Sequence, residues 1–420
     1  MRKMRIALVH DWLTGTRGGE RVLEEFLKLY PNADVLALVH VPGSVSEGIE
    51  SRVRQVSWIS RLPGVKRYYR ALLPLFPSAA RDLDLQGYDL VISLSHAAAK
   101  NIVVPAGVRH ICYCFTPMRY IWDQVRSYLG WARFPLWPLI ASLRRWDVRG
   151  AGSVEHFVAI SKFVAARIRT FYGRDAAVVY PPVDTRRLEA SFGLEPFPTF
   201  RPFVYAGALV PYKRPELVVR AFNELGLPLL VVGQGAMAAT LKGMAKDNVK
   251  FAPHVSDRDL AGVLSTCRAL VFPGTEDFGL IPVETMACGR PVIAGIRGGV
   301  AESVVGAAVG EEVQRDLHTG IFIDRVGDEL ENLKAAIMWF VKMEERFSSS
   351  TCKARAENFS ERSFERAWRE FCFGVGIPYH TGNSSKGSES QESANRYEAT
   401  AIPGRRAGTS FKISSAGGSR

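Results

Sequence analysis

The sequence predicts an α/β protein built from two successive parallel sheets, each with helices on both faces. Three observations carry this reading. Short apolar runs alternate with segments of helical periodicity, the pattern of parallel strands joined by crossover helices. A proline-rich stretch near 185–200 divides that alternation in two. The length of 420 residues suits two domains, and 47% hydrophobic against 23% charged residues is enough for two cores.

In the first half, residues 6–9 form an apolar strand. Gly18-Gly19 then opens a helix whose Val22, Leu23, Phe26, Leu27 and Leu29 line one face. Further strands follow at 34–39, 89–93 and 110–115. The boundary carries Tyr180-Pro-Pro-Val-Asp184, Glu195-Pro-Phe-Pro198 and Arg201-Pro202. Beyond it the alternation restarts with a strand at 203–206, a helix at 215–225, and strands at 229–232, 249–252 and 269–272. Residues 274–277 make a polar turn into a short helix with Pro282 in its first turn. Gly289 supplies a left-handed stop before a strand at 291–294. A strand at 320–323 and a helix over 328–343 follow. Residues 360–373 then place Phe364, Ala367, Trp368 and Phe371 at helical spacing. From about 377 the chain is rich in Ser, Gly and Ala, the composition of a disordered tail.

Six scattered cysteines include no Cys-x-x-Cys pair, so the sequence offers neither a zinc site nor a disulfide framework. No run approaches the roughly 20 apolar residues that span a bilayer. Met1-Arg-Lys-Met-Arg5 passes directly into a strand, and the expectation is a cytoplasmic protein. The net charge of +12 is uneven. Residues 1–185 hold 25 Lys/Arg against 15 Asp/Glu, whereas residues 186–376 hold 23 against 24. Residues 52–81 contain seven Arg/Lys and no acid, interleaved with Trp58, Tyr68, Tyr69 and Phe76. Residues 124–146 contain four Arg and no acid, interleaved with Tyr128, Trp131, Phe134, Trp137 and Trp146. Such mixtures suit an anionic membrane surface. The alternative is core aromatics beneath solvated arginines. No recognition helix or base-stacking motif accompanies the charge, so nucleic acid is not an expected partner.

Ligands of parallel α/β sheets gather at the carboxyl ends of the strands, where the candidate residues fall. Gly18 and Gly19 are either a phosphate cradle or a plain turn. His96 is either a substrate contact or a packing residue. Arg119 and Asp123, four apart, are either part of a ligand site or an exposed salt bridge. Lys213 and Arg214 either neutralise a diphosphate or are simply solvated. The most specific stretch is Phe272-Pro-Gly-Thr-Glu-Asp-Phe-Gly-Leu-Ile-Pro-Val-Glu-Thr-Met-Ala-Cys-Gly289. A strand entering a helix through a glycine-containing loop leaves free N–H groups and a positive dipole end, which bind anions. Glu276 and Glu284 flank this loop. They either accept hydrogen bonds from sugar and ribose hydroxyls or favour the helix dipole.

Glu276 and Glu284, with Phe278-Gly279-Leu280 between them and Gly289-Arg-Pro-Val-Ile293 after, resemble the donor-site signature of the retaining glycosyltransferases of family 4. That family has the two-domain GT-B fold. Val9-His-Asp-Trp-Leu13 with Gly18-Gly-Glu20, Ser95-His96, and Thr116-Pro-Met-Arg-Tyr120 with Trp122-Asp123 resemble its bacterial mannosyltransferase branch. Members of that branch build lipopolysaccharide O-chains or exopolysaccharides. The match runs from about residue 4 to about residue 345. Two positions depart from the pattern: Phe115 stands in place of a histidine, and Ala208 in place of an arginine five residues before Lys213.

The resemblance implies an acceptor-binding Rossmann-like domain over 1–185 and a nucleotide-sugar domain over 200–345, with a deep cleft between them. Residues 346–376 would return to the first domain, leaving 377–420 as a tail. Glu276, Lys213 and Arg214 would be the catalytic groups, Glu276 on the sugar hydroxyls and the two bases on the diphosphate. Gly18, Gly19, Phe278, Gly279, Leu280, Ile281 and Glu284 would bind the donor, Glu284 through the ribose. His96, Arg119 and Asp123 would line the sugar and acceptor pocket. Gly298-Gly299 with Glu302 resembles the following loop near the sugar. The implied reaction is retaining, metal-independent and cofactor-free transfer of mannose from GDP-mannose to a glycan or lipid-linked glycan at the inner membrane face. The alternatives are the same fold using another UDP- or GDP-sugar, or a GT-B epimerase or phosphorylase.

Overall fold

The computed structural model describes residues 4–190, 201–252 and 255–377. These form two seven-stranded sheets in which every pairing is parallel. The first contains β1 (Ile6–Leu13), β2 (Asp34–His40), β3 (Val53–Val56), β4 (Leu90–Ser95), β5 (Arg109–Cys114), β6 (His156–Ala159) and β7 (Ala176–Val178). Their order is β3-β2-β1-β4-β5-β6-β7. The second contains β8 (Phe203–Ala206), β9 (Leu229–Val232), β10 (Val249–Ala252), β11 (Leu270–Phe272), β12 (Val292–Gly295), β13 (Gly306–Ala307) and β14 (Gly320–Ile323), in the order β10-β9-β8-β11-β12-β14-β13. Both orders reverse beside their first strand, between β1 and β4 and between β8 and β11. At such a switch point the connections leave in opposite directions and open a crevice at the carboxyl ends.

Alternation along the strands builds the cores. In β1, Ile6 and Leu8 enter one apolar cluster while Ala7 and Val9 enter another on the opposite face. The cluster around Leu8 continues through Phe272, Phe278, Val283 and Met286 of the second half to Phe364 and Trp368. The two halves therefore share buried apolar surface and are not joined by polar contacts alone.

The helix Glu361–Gly374 crosses back onto the first half, as the fold class requires. Ser360 caps it by accepting from the amide of Ser363 at 3.4 Å. Trp368 is fully buried, edge-on to Phe26 at 4.7 Å between ring centroids, and its Nε1 donates to the Tyr30 hydroxyl at 2.8 Å. Truncating a tryptophan buried in this way costs about 3–5 kcal/mol.

The structure adds strands β3, β6, β7 and β13, which the apolar runs did not disclose because they are short or carry charge. The proline-rich boundary begins with a helix, Thr185–Ala190, made of good helix formers and anchored by buried Leu188. The rest of that boundary, 191–200, and the tail from 378 lie outside the described residues. No helix among the described residues is long and apolar enough to cross a membrane.

Candidate functional site

The carboxyl edge of the first sheet is organised by Asp11, a fully buried residue of β1. Its carboxylate accepts the backbone N–H groups of His96 and Ala97 on one oxygen, at 2.6 and 2.9 Å, and those of Ala98 and Ala99 on the other, both at 2.6 Å. Four charge-assisted bonds fix the loop after β4 and so place His96. The Nδ1 of His96 lies 3.1 Å from the same carboxylate. Its ring sits edge-on to Trp12 at 4.4 Å, with His10 and Phe115 at 6.0 and 6.2 Å. Burial lowers the pKa of His96; Asp11 acts against this, and Arg70 and Arg17 add to it. His96 is thus oriented at the mouth of the crevice rather than absorbed in the core. Phe115, at the position of the missing histidine, is a wall of this aromatic cage.

The helix Gly18–Leu29 starts beside this edge. A Cβ on Gly18 would lie 2.8 Å from Cδ1 of Leu280, and one on Gly19 would lie 3.3 Å from Nε2 of His10. Both glycines permit close packing, Gly18 against the second half and Gly19 against buried His10. Arg21, one turn on, pairs with Glu284 at 2.9 Å.

On the second sheet, β11 runs into the loop that precedes the helix Leu280–Ala287. Lys213, from a 3₁₀ turn after β8, pairs with Glu276 of that loop at 2.5 Å. Asp277, the next residue, is held from the first half by Arg119 and, at 2.7 Å, by Arg167. The Arg119 guanidinium also lies 6.0 Å from the ring centre of Tyr212. Gly279 adopts φ +85°, and a Cβ there would come within 2.7 Å of Val300. The edges of the two sheets therefore meet, with Lys213, Glu276, Arg119 and Asp277 in adjoining positions.

Several expectations are corrected. Arg119 and Asp123 do not form a local pair: Arg119 reaches Asp277, while Asp123 pairs with Arg167 at 2.9 Å. Arg214 does not join Lys213 at Glu276. It takes φ +60° at the residue preceding the helix Pro215–Leu225, and its side chain pairs with Glu329. Phe278 is a core residue, 5.7 Å from the Tyr180 ring and 5.4 Å from that of Phe359, so its ring is not available to a donor. Glu284 falls in the second helical turn because the helix begins at Leu280, and the dipole of the first turn is not what it complements. Glu302 accepts the amides of Lys162 and Phe163, both at 2.8 Å, and so anchors the helix Lys162–Tyr172. Leu280 and Glu284 line a cavity of about 270 Å³ with Arg21 and Arg187, whereas Ile281 is half-buried beside the shared core.

Asp11, Arg167 and Asp277 were not singled out from sequence as site residues. Arg167 and Asp277 are 110 positions apart, so no local spacing signals their contact. Asp11 lay within a motif but was indistinguishable there from a polar strand end. Among the described residues, no group of three or more His, Cys, Asp or Glu is placed to hold a metal ion.

Residues 16–187 match the family model described as Glycosyltransferase Family 4, and residues 188–361 match that described as Glycosyl transferases group 1. The D-inositol 3-phosphate glycosyltransferase of Mycobacterium marinum is 32% identical over 162 residues, covering 36% of this chain and 34% of that protein. The enzyme of the same name from Rhodococcus jostii is 31% identical over 265 residues, covering 57% and 52%. The chain thus spans about a third to a half of these relatives. In fold it is similar to sucrose-phosphate synthase from Thermosynechococcus elongatus, with a TM-score of 0.65 at 15% identity over 89% of this chain and 99% of that one. Anabaena HepE, solved in complex with UDP-glucose, has a TM-score of 0.60 at 18% identity over 89% and 100%. With one family model meeting the other at residue 188 and GT-B architecture throughout, the chain belongs to the family 4 glycosyltransferases of GT-B fold.

Proposed function

We propose that the chain is a retaining, metal-independent mannosyltransferase that uses GDP-mannose and a lipid-linked glycan acceptor in the synthesis of cell-surface polysaccharide. The observation that carries this is the Lys213–Glu276 pair, at the carboxyl edge of the second sheet and joined to the first half through Arg119 and Asp277. With no donor bound, the ammonium and the carboxylate neutralise each other. A nucleotide sugar supplies a better partner for each: its diphosphate for Lys213 and its sugar hydroxyls for Glu276. In the reaction the bond between the anomeric carbon and the phosphate oxygen breaks, and its electrons go to the nucleoside diphosphate. The acceptor hydroxyl adds to the same face, and its proton passes to the leaving phosphate. Lys213 stabilises the charge that develops on that phosphate. Glu284 is the candidate for the ribose, and His96, fixed by Asp11, for the sugar or acceptor. Tyr69 and Phe76 are core residues, but the exposed Arg61, Lys66, Arg67, Arg70 and Arg81 and the exposed Trp131, Phe134 and Trp137 support an acceptor presented at an anionic membrane.

A second reading keeps the chemistry and changes the donor. The relatives named as D-inositol 3-phosphate glycosyltransferases and the UDP-glucose complex of a GT-B neighbour favour it. Incubation of the purified protein with a panel of radiolabelled nucleotide sugars and membrane extract separates the two. Label from GDP-mannose in the lipid fraction is expected. Label from a UDP-sugar alone would select the second reading, and no transfer from any sugar would overturn both.

A further inference from the structure

The two basic segments of the first half are far apart in sequence, yet the fold sets them side by side. Residues 74–81, ending in the helix Phe76–Arg81, face residues 139–149 of the helix Trp137–Gly152 across a concavity of about 430 Å³. Its apolar wall includes Pro74, Pro77 and Leu139, and its rim carries Arg81, Arg145 and Arg149, all exposed. Among the described residues none of these three guanidinium groups has a carboxylate or hydrogen-bond partner. Three like charges around one hollow repel each other unless an anion joins them. Arg144 differs: it donates to the carbonyl of Ile121 at 2.6 Å and lies over Trp122 and Trp137, which makes it part of the scaffold.

Beside the concavity, residues 134–139 read Phe-Pro-Leu-Trp-Pro-Leu, and all six are exposed. Trp131 is 84% exposed, Phe134 57% and Trp137 53%. A continuous apolar ridge of this kind next to a cationic hollow matches the cross-section of a bilayer surface, with acyl chains below and phosphates above.

We propose that the concavity between residues 74–81 and 139–149 binds the phosphate of an anionic phospholipid headgroup, with the exposed side chains of Trp131, Phe134, Leu136, Trp137 and Leu139 seated in the acyl boundary. This rests on the membrane-facing reading above and adds a defined headgroup site separate from the Lys213–Glu276 cleft.

The test is co-sedimentation of the full chain with phosphatidylcholine vesicles, with and without phosphatidylglycerol. It compares wild type, the triple variant Arg81→Gln/Arg145→Gln/Arg149→Gln, and a charge-matched control, Arg220→Gln/Arg362→Gln/Arg366→Gln. The pocket variant is expected to bind anionic vesicles about a hundredfold more weakly, and the control within about twofold of wild type. Equal binding by wild type and pocket variant, or an equal loss in the control, overturns the site. Calorimetric titration with a short-chain, water-soluble phosphatidylglycerol should give heat that the pocket variant lacks. If inorganic phosphate alone gives the same affinity, the site is one for free phosphate and the membrane assignment falls. Should the triple variant unfold, Arg81→Gln alone carries the comparison, with an expected loss of about fivefold. Titration of nucleoside diphosphate against the pocket variant should match wild type. Failure at the vesicles therefore leaves the transferase reading standing, and failure of donor binding in wild type leaves the lipid site standing.

Discussion

Arg119 of the first half forms an ion pair with Asp277 of the second, and Arg167 holds the other oxygen of the same carboxylate at 2.7 Å. The three side chains are 17%, 13% and 9% exposed for Arg119, Asp277 and Arg167. Removing the shared anion leaves two cations facing one another in a poorly hydrated place. Asp277→Asn is expected to destabilise the chain by about 3 kcal/mol, measured by urea denaturation. In a double-mutant cycle with Arg119→Gln, the coupling should exceed about 1 kcal/mol. Additivity within about 0.5 kcal/mol would show that the pair does not tie the halves together.

Lys213→Ala should lower kcat by about a hundredfold or more, because a lost contact to a developing phosphate charge acts on the transition state. The Lys213–Glu276 pair makes a second outcome measurable. If Glu276 contacts the sugar and not the nucleotide, Glu276→Gln should reduce turnover while nucleoside diphosphate binds with unchanged affinity. A parallel loss of nucleotide affinity would remove Glu276 from the sugar.

Glu284 and Arg21 offer a paired test. A ribose role requires Glu284→Ala to weaken nucleoside diphosphate binding, by about tenfold for each hydroxyl contact to the charged acceptor that is lost. Arg21→Gln removes the same ion pair but keeps the carboxylate, so it should bind at least as well as wild type. Calorimetry in which both variants lose affinity equally would make the ion pair structural and end the ribose assignment.

Neutralisation of the leaving diphosphate by Lys213 and backbone amides predicts that transfer persists in EDTA. The sequence holds two Asp-x-Asp stretches, Asp82-Leu-Asp84 and Asp257-Arg-Asp259. The carboxylates of the first accept backbone amides, Asp82 from Trp58 at 2.7 Å and Asp84 from Gln86 at 2.9 Å, and Asp259 of the second accepts from the Ser256 hydroxyl at 2.6 Å. Abolition of transfer by the chelator, with recovery on adding manganese or magnesium, would refute the mechanism.

Acid should destabilise the protein through its buried histidines. Burial lowers His10 and His110 from 6.5 to about 4, with His96 adding to the effect at His10 and Lys100 at His110. Below pH 6.5 the unfolded chain protonates these rings while the folded chain does not. Their contribution is therefore full above pH 6.5 and is lost as the pH falls towards 4, by up to about 3 kcal/mol each. Glu25, raised to about 7 by burial, has the opposite slope between pH 4.5 and 7. The comparison is thus wild type against His110→Leu, in which the acid decline should be shallower. Superimposable pH profiles would show that His110 carries no linkage.

The two-sheet plan, the last helix and the loop at residues 272–289 were legible in the sequence because each is local. Apolar runs bury on both faces of a parallel strand, the spacing of Phe364, Trp368 and Phe371 makes one helical face, and glycines mark chain reversals. Glu276 and Lys213 could be named from their places at strand ends. Their pairing could not, nor could the transfer of Arg119 from Asp123 to Asp277, the turn of Arg214 towards Glu329, or the burial of Phe278. These depend on which surfaces meet after folding, and charged side chains choose partners by proximity in a low-dielectric cleft, without regard to sequence separation. Sequence showed that the first half is basic. Only the tertiary structure set Arg81 beside Arg145 and Arg149, because two helices about sixty residues apart bury side chains in one apolar cluster against a face of the first sheet.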